Sequence, residues 1–478
     1  MTLAEDNFDE MFGCDDSPRA PRAPYESYHR WFGGEDNNRL LTKARAAEGL
    51  FRRTGITFTV YGDEASNERL IPFDVVPRIM GAGEWSRLER GVVQRVRALN
   101  AFLHDIYHRQ EIIRAGRIPA ALIEQNQAYI PEMIGVDAPG GVYTHVVGID
   151  LVRTGENDFF VLEDNARTPS GVSYMLENRE TMLHLFPELF AQSRVRRVND
   201  YSRQLRRSLE ACAPAGSTEE PTLAVLTPGV HNSAFFEHSF LADEMGVELV
   251  EAYDLLVRDG HLAMRTTRGY VPVDVLYRRV DDEFLDPLTF NPASLLGVPG
   301  VMDVYRAGNL TLANAPGTGI ADDKAIYSYV PTMVDFYLGE TPILNNVETW
   351  RCGEPDSLDY VQQHLSELVV KEVHGSGGYG MLIGPAASRR ELEEFSAKLA
   401  ANPSSYIAQP TLSLSTVPIL TDAGLAPRHV DLRPFALVSP GEITVTPGGL
   451  TRVALAEGSL VVNSSQGGGT KDTWVLED

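Results

Sequence analysis

Apolar residues recur three and four apart from Asn37 to Arg53 and again from Trp85 to Ala115, where Leu88, Val92, Val96, Leu99, Phe102, Leu103 and Ile106 share one face. That period predicts two amphipathic helices. At 141–165 the period drops to two, and "VYTHVVGIDLVR", a turn-rich "TGEND" and "FFVLEDNAR" predict two strands joined as a hairpin. The small residues and prolines of "CAPAGSTEEPT", 212–222, mark a linker. Beyond it "LAVLTPG" predicts a buried strand, "NSAFFEHSFLADEMG" a helix and "VELVEAYDL" a strand, with "VPVDVLYRRV" and "NLTLANAPG" as later strands. Strand-helix-strand alternation predicts an open parallel sheet covered by helices. From Asp322 the texture changes: "DKAIYSYVPTMVDFYL" predicts one helix, followed by short strands and hairpins, as in a mixed α+β domain.

The opening residues, acidic and then "SPRAPRAP", lack apolar periodicity and carry prolines that deny a helix its hydrogen bonds. The expected fold class is therefore α/β and α+β, multidomain. It divides into a mobile tail (1–29), a largely helical region (30–135), the hairpin with following helices (136–211), a parallel-sheet domain (222–318) and an α+β domain (319–478).

Composition narrows the function. A chain of 478 residues with 43% hydrophobic content can bury several cores. Its 66 acidic against 42 basic side chains give a formal charge of -24, which repels nucleic-acid backbones and anionic lipid. No basic-then-apolar leader and no apolar stretch of about 20 residues is present, so a cytoplasmic protein without membrane contact is expected. Cys14, Cys212 and Cys352, odd in number and far apart, form no disulfide framework and are expected as buried thiols. His104 and His108 stand at the i, i+4 spacing that can hold a metal; among ordinary surface residues the sequence favours a structural role for them.

The chemistry-bearing residues fall in clusters. In "LVVKEVHGSGGYGML" a strand delivers Lys371 to the loop Gly375, Ser376, Gly377, Gly378, Tyr379 and Gly380, whose missing side chains would let backbone N–H groups approach phosphate. A flexible hairpin and a phosphate cradle are both open there. Glu163 and Asn165, two apart on a strand, face one side, with Asp150 opposite across the turn. These three oxygen donors suit magnesium, which keeps water and phosphate among its ligands. "EDNARTPSG" adds Arg167, "HVDLRPF" sets Asp431 and Arg433 on one face of a strand, and "GGLTRVAL" offers Arg452. Arginine grips phosphate or carboxylate as a planar fork. "VNSSQGGGTKD" presents Asn463 before a triple glycine, with Lys471 beyond.

Taken in order, Lys324 in "ADDKAIY", Lys371 with "GSGGYG", Gln409 in "YIAQPTL", Asp431 and Arg433, Arg452, and Asn463 resemble the motif order of the ATP-grasp superfamily. That superfamily ends on an Asp and a Glu-x-Asn for its metals, whereas here the counterparts Asp150, Glu163 and Asn165 stand near the front. The chain therefore resembles the circularly permuted ATP-grasp proteins, a group related to glutathionylspermidine synthetase, from about residue 30 onward. Gln409 departs from the glutamate that many relatives carry at the hinge.

The resemblance implies an ATP-dependent carboxylate–amine ligase that forms an amide through an acyl-phosphate, on an amino acid or peptide, and releases ADP and phosphate. It implies ATP and two magnesium ions, the metals on Asp150, Glu163 and Asn165, and the nearer phosphates on Lys324 and Lys371. The loop 375–380 would close over the nucleotide, with Gln409 and Asn463 contributing to its site, and Arg433, Arg452 and Arg167 would be the catalytic cations. The segment 222–318 would be a Rossmann-like pre-ATP-grasp domain, with His231 and Asn232 as candidate acceptor contacts. A non-catalytic nucleotide-binding partner and a phosphotransferase that stops at a phosphorylated product are the alternatives. Amine, thiol and polyamine acceptors and a homo-oligomer are all left open.

Overall fold

Strands Val146–Arg153 and Phe159–Asn165 pair antiparallel as the two-residue period predicts, and they lie inside a ten-stranded sheet. The computed structural model describes residues 7–13, 20–60, 67–375, 380–462 and 467–478. On its other side Val146–Arg153 takes Gly424–Arg433 and Phe435–Ser439 as antiparallel neighbours. Leu450–Val453, Gly469–Val475 and Phe73–Met80 continue the sheet, the last strand running parallel to its neighbour. Segments from the front and the end of the sequence thus form one layer. The region 30–135 holds the helices Asn37–Thr54 and Ala82–Tyr107 and also supplies the strand Phe73–Met80, which ends the order of this sheet beside Gly469–Val475.

Every residue of Val146–Arg153 is buried, as befits a strand covered on both faces. One cover is the helix Ala82–Tyr107, which lays Trp85, Leu88, Val92 and Val96 against Val147, Ile149 and Leu151. The helix stops at Tyr107, short of the expected Ala115, because the Asp105 carboxylate accepts from the N–H groups of Glu111 and Ile112 (2.7 and 2.9 Å) and so caps a separate turn, Glu111–Arg114.

Leu223–Leu226, Glu248–Val250, Val275–Arg278 and Thr311–Ala313 form an all-parallel sheet, as strand-helix-strand grammar requires. Asn314, at the end of its last strand, binds this sheet to the hairpin. Its amide oxygen accepts from His145 and Val146 N–H (2.7 and 2.9 Å), and its amide nitrogen donates to the Val146 and Ala166 carbonyls (2.8 and 2.7 Å).

A smaller antiparallel sheet orders Trp350–Arg351, Tyr406–Pro410, Leu368–Glu372 and Leu382–Ile383, backed by the helices Pro355–Gln363 and Arg389–Ala401. The single helix expected at 323–338 is instead three pieces: Lys324–Tyr327, Val330–Met333 and a π-helical turn Val334–Leu338. Pro331 has no N–H to continue the first piece and sits in the opening turn of the second.

Residues 7–13 and 20–29, expected within a mobile tail, are packed. Phe8, Met11, Tyr25 and Tyr28 are buried, and the Tyr25 hydroxyl accepts from Ile79 N–H at 3.0 Å. Fully buried Glu10 takes the Arg78 fork at 2.6 and 2.9 Å and the Ser415 hydroxyl at 2.6 Å. These partners lie far along the chain, so local pattern carries no sign of them. Burial raises the Glu10 pKa, but the guanidiniums of Arg78 and Arg153 and the hydrogen bonds from Arg78 and Ser415 reverse that and hold it at about 2. The folded protein therefore binds this proton more weakly than the unfolded chain does. The pair's contribution, about 3 kcal/mol, is complete above about pH 4.5 and is lost as pH falls towards 2. Glu10→Gln is expected to flatten the acid limb of a urea-denaturation stability profile over that window. Among the described residues no helix is long and apolar enough to cross a membrane.

Candidate active site

The small sheet faces the large one across a cavity of about 200 Å³, lined by eight of the residues singled out from the sequence. Lys371, Gly375 and Gln409 come from the small sheet and its loop, Asp150, Glu163, Asp431 and Arg452 from the large sheet, and Lys324 from the short helix. Val347, Val369, Met381, Ile383, Leu412 and Leu414 make the rest of the slot apolar. A second cavity of about 960 Å³ continues from it, sharing Glu163, Lys324, Gly375 and Arg452 and adding Asn165, Arg167 and Arg433. The pair forms one space with an apolar end and a charged middle, which matches a purine joined to phosphates.

Register explains the convergence. Asp150 is the cross-strand partner of Glu163, and Asp431 that of Arg452. Arg433 grips Asp150 as a fork, with Nη2 to Oδ2 at 2.7 Å and Nε to Oδ1. Arg452 reaches the same Oδ2 at 2.6 Å and engages Asp431 through Nε at 2.9 and 3.0 Å. Burial pushes the Asp150 pKa up, yet the two guanidiniums beside it outweigh burial and hold the carboxyl well below the usual range. Asp431 behaves oppositely, since its burial outweighs Arg452 and raises its pKa.

Glu163 sits between Lys324 Nζ at 3.8 Å and Arg433 Nη2 at 3.9 Å, with its side chain 33% exposed. Its oxygens are thus beyond hydrogen-bond range of both cations and open to a hard metal ion. Asn165 donates long bonds of 3.4 Å to Asp150 Oδ1 and the Gly148 carbonyl, which leaves its amide oxygen as a donor to metal. The oxygen set fits magnesium. Both Asp150 oxygens are engaged by guanidiniums, so a metal contact there requires one arginine to turn away.

Lys371 donates to Gln409 Oε1 at 2.8 Å, and Gln409 in turn donates to the Thr349 hydroxyl at 3.0 Å. Burial lowers the Lys371 pKa; Glu163 opposes this and Lys324 adds to it. Lys324 donates to the Gly375 carbonyl at 2.5 Å, which ties the start of the glycine loop to the site. At the loop's other end Gly380 has φ +70°, and a β-carbon there would lie 2.8 Å from the Glu372 carboxyl carbon. Ser376, Gly377, Gly378, Tyr379 and Asn463, all named from the sequence for the nucleotide, lie outside the described residues.

Arg167 lines the larger cavity, with Nη1 3.6 Å from Asp281 and Nε 3.9 Å from Asp322. Seven acids not singled out from the sequence line the same cavity: Glu132, Asp164, Asp281, Asp282, Glu283, Asp322 and Asp323. Burial raises the Asp322 carboxyl to about 7 against the pull of Arg167 and of the Ala166 N–H, with Asp164 and Glu163 adding to the rise. The runs "DDE" and "ADDK" were the available signal, but only the fold shows that they meet at one cavity. His231 and Asn232 line neither cavity, and Asn232 accepts from Ala234 N–H in the turn before its helix. Lys471 is buried and tied to Asp74 at 2.9 Å. Cys212 and Cys352 are buried free thiols; Cys14 lies outside the described residues.

A family model described as circularly permuted ATP-grasp type 2 matches residues 77–454. An uncharacterized protein of Synechocystis sp. is 51% identical over 98% of this chain and 97% of its own length. An uncharacterized protein of Mycobacterium tuberculosis is 53% identical over 98% of this chain and 84% of its own. A Frankia alni protein named putative glutamate–cysteine ligase 2-3 is 46% identical over 90% of this chain, which spans 49% of that longer protein. Among solved structures, a glutathione synthetase-like effector from Globodera pallida superposes with a TM-score of 0.57 at 12% identity, covering 92% of this chain and 98% of that one.

Proposed function

The chain belongs to the circularly permuted ATP-grasp family, and from that premise we propose that it is an ATP-dependent ligase joining a carboxylate to an amine through an acyl-phosphate. The observation that carries this reading is the gathering of Lys324, Lys371, Arg433 and Arg452 around Asp150 and Glu163 where the apolar slot opens into the acid-walled cavity. The slot takes the purine. Lys371, held in place by Gln409, and Lys324 bind the phosphates. Glu163 and Asn165, with Asp150, would hold magnesium, which when bound neutralises charge on phosphate oxygens.

Arg167, which lines the larger cavity, would receive the substrate carboxylate there. Attack of that carboxylate on the terminal phosphorus forms the acyl-phosphate and releases ADP. Arg433 and Arg452 stabilise the phosphoryl group in transit, because each can exchange part of its grip on Asp150 for phosphate oxygens. The acceptor amine then attacks the acyl carbon and phosphate leaves. An amine arrives as an ammonium ion, which suits the acidic wall. It must lose a proton to attack, and Asp322, with a pKa near neutrality, is matched to accept it.

The test is incubation of purified protein with ATP, magnesium and pooled amino acids, small peptides and polyamines, followed by mass spectrometry. A condensation product formed in step with ADP and phosphate is expected. A phosphorylated product without condensation would replace the ligase by a phosphotransferase, and nucleotide binding without ADP release would replace it by a binding protein.

A further inference from the structure

Outside both cavities, at the end of the helix Ala82–Tyr107, the rings of His104 and His108 stack 4.3 Å apart at 24°. Asp137 approaches from the segment that leads into strand Val146–Arg153, and one donor atom from each of the three residues lies within 4.8 Å of the other two. The ring protons can be assigned from the partners. His108 Nδ1 faces the His104 carbonyl at 2.9 Å, and a carbonyl only accepts, so Nδ1 carries a proton. The Tyr143 hydroxyl donates to the Val136 carbonyl at 3.1 Å, so its oxygen accepts from His104 Nδ1 at 3.4 Å. Each neutral ring is thereby left with an Nε2 lone pair.

In His108 that lone pair meets Asp137 Oδ1 at 3.1 Å. Two lone pairs at that distance repel unless a cation lies between them. A second proton on the ring is one such cation, and a metal ion is the other. Both Nδ1 partners are of the kind that fix the tautomer of metal-binding histidines. We propose that His104, His108 and Asp137 form a surface site for a divalent transition-metal ion, with Zn²⁺ as the ion the donor set fits best. Two imidazole nitrogens and one carboxylate oxygen favour zinc over magnesium or calcium. Tetrahedral zinc, with ligands at about 2.0–2.1 Å, sets donor atoms roughly 3.4 Å apart. The His108–Asp137 pair already meets that spacing, and exposed His104 closes by rotating its side chain. The bound ion would fasten the helix end to the segment whose Pro131 and Glu132 line the larger cavity.

The experiment is titration of the whole protein with Zn²⁺ in excess Mg²⁺, which fills oxygen-only sites, followed calorimetrically and by the visible absorption of Co²⁺ in parallel. One ion per chain is expected, with loss of the cobalt absorption in His104→Ala and His108→Ala. Tyr143→Phe keeps all three ligands but removes a tautomer-fixing partner, so affinity is expected to fall about tenfold. Circular dichroism checks that each variant is folded. Absence of zinc binding, or binding unchanged in both histidine variants, overturns the proposal.

Discussion

Glu163→Gln is expected to reduce ADP release by about 10³-fold while leaving stability within about 0.5 kcal/mol of the parent. The substitution keeps the side-chain volume and removes one negative charge. Lys324 and Arg433 stand 3.8 and 3.9 Å away, beyond hydrogen-bond range, and the side chain is 33% exposed, so the substitution breaks no hydrogen bond to either cation. What is lost is the open carboxylate that the proposed reaction needs for metal. Asp150 would make a poorer test, since its removal leaves Arg433 and Arg452 without their shared counter-charge. A coupled ADP assay with a parallel urea melt separates the two effects, and turnover within threefold of the parent would remove Glu163 from the site.

Arg279→Ala is expected to carry a large stability cost, about 3–5 kcal/mol, measured as a fall in the urea midpoint at unchanged slope. Arg279 is buried and donates to the Pro169 carbonyl at 2.9 Å, the Ser170 hydroxyl at 2.5 Å and the Tyr277 hydroxyl at 3.2 Å. Beside it, buried Glu237 accepts from the N–H groups of Gly171 and Ser173 (2.8 and 3.0 Å) and from the Ser173 hydroxyl at 2.8 Å. The two side chains come from the parallel-sheet region and grip the turn 168–171, whose Ser170 carbonyl accepts from Arg433 Nη1 at 3.1 Å. Removing Arg279 leaves the Glu237 charge buried without its cation and loosens the support of Arg433. ADP release is therefore expected to fall along with stability. Arg279→Lys, which keeps the charge but not the fork, is expected to recover only part of both. A loss below about 1 kcal/mol would mean that the turn does not depend on this pair.

The hairpin was readable because residues two apart on a strand share a face, as Glu163 and Asn165 do; Asp150 stands opposite Glu163 through a one-residue register shift beside Leu151 that the pattern does not show. The long helix was equally plain from Leu88 to Ile106, but its end was not, since Asp105 ends it through contacts with the following turn. Glu10 gave no signal because its burial rests on Arg78 and Ser415, and Phe8 none because its ring packs against Arg22 and Arg153, none of them a neighbour in sequence. Asp322 was passed over for a related reason. A carboxylate's proton affinity depends on the water it has lost, and nothing in "ADDK" states how much that is.

Local pattern and motif order by themselves determined the pairing of Val146–Arg153 with Phe159–Asn165, the parallel-sheet grammar, the permuted family and eight of the residues that line the smaller cavity. Tertiary structure alone decided that Asp150 is held by two arginines, that seven further acids line the larger cavity beside Glu163, and that Asp137 joins two histidines. Periodicity is a property of the covalent chain, so sequence carries it. Desolvation and the meeting of charges depend on which distant segments share a surface, and that is fixed only when the sheet closes.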